Sequence, residues 1–238
     1  MANYSENKRP LSPLFLDTSD PEEIETYLKM GAISGVTTNP TIMVKEKFAA
    51  NEKEAEKHSV KLANLINPLP ISLEVTVNDF DGMIEQAKKL HELAENVVVK
   101  IPIHGPKGEL HNLEVMSKLS KMGIRINCTA IQSPIQGLLA AVAGSEFVSL
   151  FGGRIANIGH DPRSEFRKLR DLLDQNAPEV RIIAGSTREP YNVTDWLLSG
   201  CDIITVQPQW MKLLAVHPST KEVVQMFLDD GAKLKEGK

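Results

Sequence analysis

Cysteine and long apolar runs are both scarce in this sequence. Its 238 residues include only two cysteines, Cys128 and Cys201, which lie far apart and beside strand-like segments. A disulfide framework is therefore not expected, and the pattern favours small buried thiols in a reduced compartment. No apolar run is long enough to cross a membrane, and the first ten residues contain no apolar core of a secretion signal. We therefore expect a cytoplasmic protein with no membrane partner.

Signals for nucleic acids and nucleotides are also missing. The formal net charge is -4 at pH 7, and lysine and arginine form no cluster, so we expect no nucleic-acid partner. Neither G-x-G-x-x-G nor G-x-x-x-x-G-K-[ST] occurs. Such glycine-rich loops usually accompany an open, doubly wound sheet, and their absence disfavours that fold. A small anion bound by a few converging arginines stays possible.

Metal and thiol chemistry have weak support. His104 and His111 flank a loop at a separation that matches no familiar ligand spacing, and His160-Asp161 has no third ligand in view. Cys128 has no histidine near it in the sequence, so a buried small thiol explains it better than a nucleophile does. We expect neither a metal nor another cofactor.

Eight short apolar segments, each predicted to be a strand, alternate with helical patterns along the chain. The predicted strands are 14–18, 35–38, 71–76, 97–101, 125–129, 147–151, 181–184 and 202–206. The predicted helices are 21–29, 52–65, 79–94, 110–122, 133–142, 162–176 and 192–198, followed by 209–214 and 220–229. This alternation predicts an α/β protein with a (β/α)8 TIM barrel, and an open sheet is the alternative. We expect one domain over 1–238, with an N-terminal extension at 1–12 and a C-terminal helix and tail at 218–238.

Polar residues recur where the predicted strands end. Because a barrel of this type has its active site at the C-terminal ends of the strands, such residues should meet there. Each has a simpler explanation by itself, such as a helix cap, a turn, a solvated strand face or a surface charge. The candidates from this pattern are Asp17, Thr38, Asn39, Glu74, Lys100, Asn127, Thr129, Arg154, Ser186 and Arg188.

Lys100 is the most informative of these residues. It follows Val97-Val98-Val99 and precedes Ile101-Pro102, a run that is typical of a strand buried on both faces. Removing water from an ammonium group favours the neutral amine, which is a nucleophile towards carbonyl carbon. Carboxylates such as Asp17 and Glu74 could then move protons. The alternative is that Lys100 only marks the strand end and pairs with a carboxylate.

Two segments near the end of the barrel indicate an anion site. Residues 151–154 read Phe-Gly-Gly-Arg, and residues 186–188 read Ser-Thr-Arg. Together they could offer backbone N–H groups, a hydroxyl and two guanidinium groups to an anion.

Four segments resemble motifs of the transaldolase family in the order in which they occur. They are Leu-Asp-Thr-Ser at 16–19, Gly-Val-Thr-Thr-Asn-Pro-Thr at 35–41, Val-Lys-Ile-Pro at 99–102 and Phe-Gly-Gly-Arg-Ile at 151–155. The resemblance covers 14–218 and is closest to the short members, which include the fructose-6-phosphate aldolase type. It implies a metal-free (β/α)8 barrel that acts through a Schiff base, and a homo-oligomer of five or ten subunits.

The same resemblance implies a role for each candidate. Lys100 would form the Schiff base, Asp17 would transfer the proton that accompanies carbon–carbon cleavage, and Glu74 with Thr129 would hold a catalytic water. The remaining candidates would bind substrate: Asn39, Thr38, Asn127, Phe151 and Ser186 along the sugar, and Arg154 with Arg188 at its distal anion.

Two positions bear on the reaction within the family. The aldolase type carries glutamine where this chain has Glu74 and tyrosine where it has Phe151, so both residues favour transfer of a dihydroxyacetone unit over release of free dihydroxyacetone. Leu150 and Gly152 replace a usual proline and valine, and the segment 185–188 reads Gly-Ser-Thr-Arg instead of Ala-Ser-Phe-Arg. We expect these changes to line the anion end of the pocket, which leaves a sugar phosphate and a sugar sulfonate both open. The alternatives to a transaldolase are an aldolase and a sugar-anion-binding barrel without turnover.

Overall fold

The computed structural model describes residues 12–236, and in it eight parallel strands close into a barrel in sequence order. The strands are β1 (Leu14–Asp17), β2 (Val36–Thr37), β3 (Ile71–Glu74), β4 (Val97–Pro102), β5 (Ile126–Ile131), β6 (Phe147–Phe151), β7 (Arg181–Gly185) and β8 (Ile203–Val206). The predicted (β/α)8 fold is therefore confirmed. The predicted extension at 1–12 lies outside the described residues except for Ser12, as do residues 237–238 of the predicted tail.

Helices follow the strands, and several of them pack around the outside of the barrel. They are α1 (Pro21–Lys29), α2 (Pro40–Lys45), α3 (Glu52–Ile66), α4 (Phe80–Glu92), α5 (His111–Lys121), α6 (Pro134–Val142), α7 (Gly152–Asn157), α8 (Pro162–Asn176), α9 (Tyr191–Leu197), α10 (Pro208–Ala215) and α11 (Pro218–Glu236). Among residues 12–236, no helix combines the length and the apolar character needed to cross a membrane.

The short helices α2 and α7 differ from the sequence-based prediction, which left both segments as loops. Helix α2 begins because the side chain of Asn39 accepts a hydrogen bond from the backbone N–H of Ile42 at 3.0 Å, and because Pro40 suits the first helical turn. Helix α7 starts directly after β6 at two glycines. A side chain on Gly153 would overlap the carbonyl oxygen of Ser186, so only glycine fits there.

Strand alternation separates an apolar layer from a polar layer inside the barrel. Side chains two residues apart on a strand point to the same side. The buried cluster inside the barrel consists of Phe15, Val98, Phe147, Ile183 and Ile203. Two residues further along the same five strands stand Asp17, Lys100, Ser149, Gly185 and Thr205. The C-terminal end of the barrel interior is therefore polar, while its lower part is packed with apolar side chains.

The larger apolar core lies between the strands and the surrounding helices. Outward-facing strand residues such as Leu16, Val99 and Leu150 are fully buried against helix residues such as Leu169 and Leu173. Cys128 belongs to this outer core, and both cysteines are free and buried. Burial raises the pKa of the Cys128 and Cys201 thiols well above the ordinary value, so both stay protonated.

Candidate active site

Lys100 occupies the centre of the polar layer. Its side chain points into the barrel from β4, is 7% exposed and places Nζ 3.0 Å from a carboxylate oxygen of Glu74. Nζ also donates a hydrogen bond to the backbone carbonyl of Thr38 at 3.2 Å. The β3–β4 register sets Glu74 directly beside Lys100, so the pairing follows from the strand alignment. The lysine thus has both a buried position and a carboxylate that can take its proton.

Asp17 lies at the end of β1 and faces the same space. The hydroxyl of Thr37 donates a hydrogen bond to Asp17 Oδ1 at 2.7 Å. Burial raises the pKa of Asp17 above its usual value, and the positive charge of Lys100 and the hydrogen bond from Thr37 oppose this rise. The negative charges of Glu46 and Glu74 add to the rise. A carboxylate in this setting is suited to exchanging a proton with a bound substrate.

Thr129 presents a free hydroxyl to the cavity. The residue is 1% exposed, and its Oγ1 has no hydrogen-bond partner among the described residues. The ladder between β5 and β6 shifts register between Cys128 and Ile131, and Ala130 there has φ 60°. Such irregularities re-aim side chains at the rim of a sheet. A buried hydroxyl without a partner is suited to binding a water or a substrate oxygen.

Asn127 and Thr38 contribute to the site from behind its surface. The Asn127 amide on β5 donates to Ser72 Oγ at 3.0 Å and accepts from Ser149 Oγ at 2.7 Å. It therefore connects β5 with β3 and β6 inside the barrel. Its side chain does not line the cavity. Thr38 holds Lys100 through its backbone carbonyl, while its own hydroxyl is buried without a partner in the described chain.

The predicted anion residues lie at the rim. Arg154 on α7 and Arg188 after β7 are exposed and line the cavity, and within residues 12–236 neither guanidinium forms an ion pair. Ser186 adopts φ 63°, a conformation that non-glycine residues rarely take, at the point where its carbonyl packs on Gly153. The geometry brings a hydroxyl and two unpaired cations to one side of the opening.

Phe151 borders the cavity at the end of β6, directly opposite Gly185 on β7. A side-chain carbon on Gly185 would come within 3.2 Å of the Phe151 ring. Glycine at position 185 therefore leaves room for the ring, which covers the backbone at this side of the cavity.

Most of the departures from the family motifs lie away from the anion end, so our expectation about them is largely wrong. Leu150 is fully buried in the outer core, and Gly152 packs against the ring of Trp196, which fills the space of a missing side chain. Thr187 is buried and donates to the carbonyl of Thr205 at 3.4 Å. Of these changed positions only Gly185 lines the cavity.

The cavity has a volume of about 1280 Å³ and opens at the C-terminal ends of the strands. Nine of the eleven predicted site residues line it, and they are Asp17, Asn39, Glu74, Lys100, Thr129, Phe151, Arg154, Ser186 and Arg188. The acceptor oxygen of the Asn39 side chain is occupied as a helix cap, so its amide N–H groups are what it can offer to a ligand. In the described part of the chain, no group of three or more potential ligands could hold a metal ion.

Several polar residues that line the cavity were not among the predicted site residues, and they include Thr37, Thr205 and Glu46. Thr37 and Thr205 face inward on β2 and β8, and their hydroxyl oxygens are 2.5 Å apart. The alternation of strand side chains could have identified both. Glu46, at the end of α2, accepts hydrogen bonds from the hydroxyl of Thr18 at 2.9 Å and from the N–H and hydroxyl of Ser19 at 2.7 and 2.6 Å. No sequence pattern indicated that contact, because α2 itself was not predicted.

Comparisons with known proteins agree with this architecture. The model of a family described as "Transaldolase/Fructose-6-phosphate aldolase" matches residues 14–236. A protein named "Probable transaldolase" from Thermoplasma volcanium is 36% identical over 93% of this chain and 96% of its own length. One with the same name from Nitrosopumilus maritimus is 37% identical with the same coverage, and "Probable transaldolase 1" from Bacillus cereus is 36% identical over 93% of this chain and 98% of its own.

A solved structure with a similar fold is much more distant in sequence. The structure titled as a putative lactate oxidase from Pediococcus acidilactici superimposes with a TM-score of 0.55 at 12% identity. The match covers 85% of this chain and 64% of that one. At this level of identity the likeness concerns the fold alone.

Proposed function

This chain belongs to the transaldolase and fructose-6-phosphate aldolase family and is a transaldolase-type enzyme, and we propose that it transfers a dihydroxyacetone unit through a Schiff base on Lys100. The donor is a ketose phosphate and the acceptor an aldose. One observation carries the proposal: a buried lysine amine 3.0 Å from a carboxylate, at the end of the barrel where active sites of this fold lie.

In the first half of the reaction the amine captures the donor. The Lys100 ammonium passes a proton to Glu74, and the neutral nitrogen attacks C2 of the ketose to give a carbinolamine. Glu74 returns its proton to the carbinolamine hydroxyl, which leaves as water and gives the iminium, and the hydroxyl of Thr129 together with Glu74 holds that water. The C3–C4 bond then breaks, its electron pair moves towards the iminium nitrogen, and Asp17 takes the proton from the C4 hydroxyl as the aldehyde leaves.

In the second half the remaining enamine waits for an acceptor. Its C3 carbon attacks the aldehyde carbon of the acceptor, and Asp17 gives its proton to the aldehyde oxygen, which becomes the new hydroxyl. The water held by Glu74 and Thr129 hydrolyses the iminium and frees Lys100. Phe151 supports transfer over aldolase activity because a phenyl ring has no proton to donate to the enamine, so free dihydroxyacetone forms slowly.

The distal anion of the donor lies against Arg154 and Arg188, which are unpaired in the described chain and so available for it. A phosphate is the anion we propose first, and a sulfonate such as that of a 6-deoxy-6-sulfo sugar is the alternative. Arg154→Ala should lower kcat/KM roughly tenfold to hundredfold for fructose 6-phosphate or its sulfonate analogue and much less for neutral fructose. Equal losses for all donors would assign Arg154 a structural role.

Borohydride trapping tests the proposal directly. Incubation with fructose 6-phosphate and borohydride should add a reduced three-carbon unit, and peptide mapping should place it on Lys100. The Lys100→Met variant is the control and should stay unmodified. Trapping on another lysine, or no trapping while transfer proceeds, would rule out this mechanism. Rapid release of dihydroxyacetone without an acceptor would favour the aldolase instead.

Assembly and location complete the proposal. Helix α11 exposes apolar side chains that a monomer would leave in water, including Val223, Val224, Phe227 and Leu228. We propose that this helix joins the subunits of a homo-oligomer of five or ten copies. The enzyme then acts in the cytoplasm, in carbohydrate metabolism and the pentose phosphate pathway. Light scattering coupled to size exclusion measures the oligomer, and Phe227→Asp should reduce its size.

A further inference from the structure

A row of hydrogen-bonding groups crosses three adjacent strands beneath the proposed reaction centre. Thr205 on β8, Thr37 on β2 and Asp17 on β1 all face the barrel interior, and β1 lies between the other two strands. The two hydroxyl oxygens are 2.5 Å apart, and Thr37 donates to Asp17 Oδ1 at 2.7 Å. Thr37 and Thr205 are only 3% and 6% exposed, so their hydrogens must find partners within the site.

The direction of these hydrogen bonds follows from counting hydrogens. When Asp17 is ionised, the Thr205 hydroxyl donates to Thr37 and the Thr37 hydroxyl donates to Asp17, so both hydrogens are used. When Asp17 is protonated and donates to Thr37, the row reverses, and the Thr205 hydrogen has to turn to the cavity. In the described chain Thr37 is the only partner of the Thr205 hydroxyl. An ionised carboxylate also accepts the Thr37 hydrogen bond more strongly than a neutral carboxylic acid does, so the row favours the charged form of Asp17.

We propose that Thr205 is a positioning residue that acts through Thr37 to favour the ionised form of the Asp17 carboxylate and to orient it to accept a proton from substrate. The inference rests on the proposed function, because it presumes that Asp17 exchanges this proton. Thr205 does not need to touch the substrate for this role. It supplies the hydrogen that keeps the Thr37 hydroxyl turned towards Asp17.

Other charges also act on Asp17 and must stay constant in any test. Lys100 on β4 favours its ionised form, whereas Glu74 on β3 and Glu46 at the end of α2 favour its neutral form. A substitution at Thr205 changes none of these charges. A change in the titration of Asp17 in such a variant is therefore assigned to the row of hydroxyls.

The experiment compares the pH dependence of kcat for transfer from fructose 6-phosphate in Thr205→Val, Thr205→Ser and the wild type. Without the hydroxyl, Asp17 should stay protonated to a higher pH, so the acidic limb of kcat should move up by about half a pH unit to one unit. On that limb kcat should fall roughly threefold to tenfold, with little change in KM for the donor. Thr205→Ser keeps the hydroxyl and should retain the wild-type profile.

Two further variants separate the hydroxyl from packing. Ser199→Ala removes a buried hydroxyl that donates to the carbonyl of Asp195, away from the row, and should leave the acidic limb in place. Thr205→Ala removes the Thr205 hydroxyl without adding volume, and it serves if the valine variant does not fold. An unmoved limb in the variants that lack the hydroxyl, or an equal shift in Thr205→Ser, would overturn the inference.

Failure of the inference can be told apart from failure of the proposed function. If the wild type forms the three-carbon adduct on Lys100 while the Thr205 variants keep the normal pH profile, only the positioning role is wrong. If the wild type forms no adduct, the proposed mechanism fails first and this role falls with it.

Discussion

Replacing Lys100 with methionine should abolish transfer and also change how stability depends on pH. Methionine keeps most of the apolar stem of lysine and removes the amine. The lost contacts are the ion pair with Glu74 at 3.0 Å and the hydrogen bond to the Thr38 carbonyl at 3.2 Å. Without the nitrogen no Schiff base can form, so transfer should fall to the uncatalysed background.

The effect of this substitution on the free energy of unfolding combines a loss and a gain. Each hydrogen bond to a charged group contributes about 1.5–3 kcal/mol. Relief of the desolvation of the ammonium opposes this loss, and Glu74, whose side chain is 18% exposed, can regain some water. We therefore expect a net loss of about 1–2 kcal/mol at pH 7, or a Tm lower by about 2–8 °C.

The pH dependence of this loss has a definite sign. Burial raises the pKa of Asp17, and Lys100 opposes that rise, so removing Lys100 lets the pKa rise further. A carboxylate whose folded pKa lies above its unfolded value destabilises the fold at high pH, and stability returns as the pH falls through the folded pKa. The stability deficit of Lys100→Met should thus be larger at pH 8 than at pH 5.

Urea unfolding at pH 5, 6.5 and 8, together with a transfer assay, measures both effects. Lys61→Met is a matched control, because Lys61 is exposed on α3 and the substitution is the same. The control should keep activity and show no pH-dependent deficit. Substantial transfer by Lys100→Met, or a deficit that grows towards pH 5, would refute the reasoning.

Three further variants, one of them a double substitution, test other parts of the site. Glu74→Gln combined with Phe151→Tyr should raise the ratio of dihydroxyacetone release to transfer, because the tyrosine hydroxyl can protonate the enamine; an unchanged ratio in the two coupled assays removes the argument for transfer. Gly153→Ala should raise KM for the donor about tenfold or more, because its methyl group overlaps the Ser186 carbonyl and displaces the rim. Gly231→Ala, where nothing lies within 4 Å, is its control, and equal KM values would contradict this account. Glu46→Gln places an amide N–H group against the N–H and hydroxyl donors of the turn between β1 and α1. It should lower the free energy of unfolding in urea by about 1–3 kcal/mol. Unchanged stability would show that Glu46 does not hold that turn.

The barrel and the centre of the site were predictable because both depend on short-range periodicity. Strand alternation alone places Val98 and Lys100 on one side of β4, and Phe15 and Asp17 on one side of β1. The rule that parallel barrels gather function at the C-terminal strand ends then brings Lys100 and Asp17 together without any knowledge of their distance.

What escaped prediction depends on contacts between distant segments. Glu46 meets Ser19 only because α2 forms, and α2 is a six-residue helix whose start is fixed by the Asn39 cap rather than by an apolar pattern. Thr205 reaches Thr37 only because the barrel closes between β8 and β1. The two threonines are 168 residues apart in the sequence, so no local pattern could have indicated that their hydroxyls meet.

Most of the departures from the family motifs affect packing around the cavity and do not line it. The Trp196 ring fills the space that a side chain at position 152 would occupy, so the glycine at this position affects packing near α7. Leu150 faces the outer core, where it cannot touch a substrate. Under the proposed function, we expect the anion to be chosen by the exposed cations that line the cavity, which are Arg154 and Arg188 together with Lys45 and Lys212. A phosphate dianion carries more charge than a sulfonate, so we propose a sugar phosphate as the donor ahead of a sugar sulfonate.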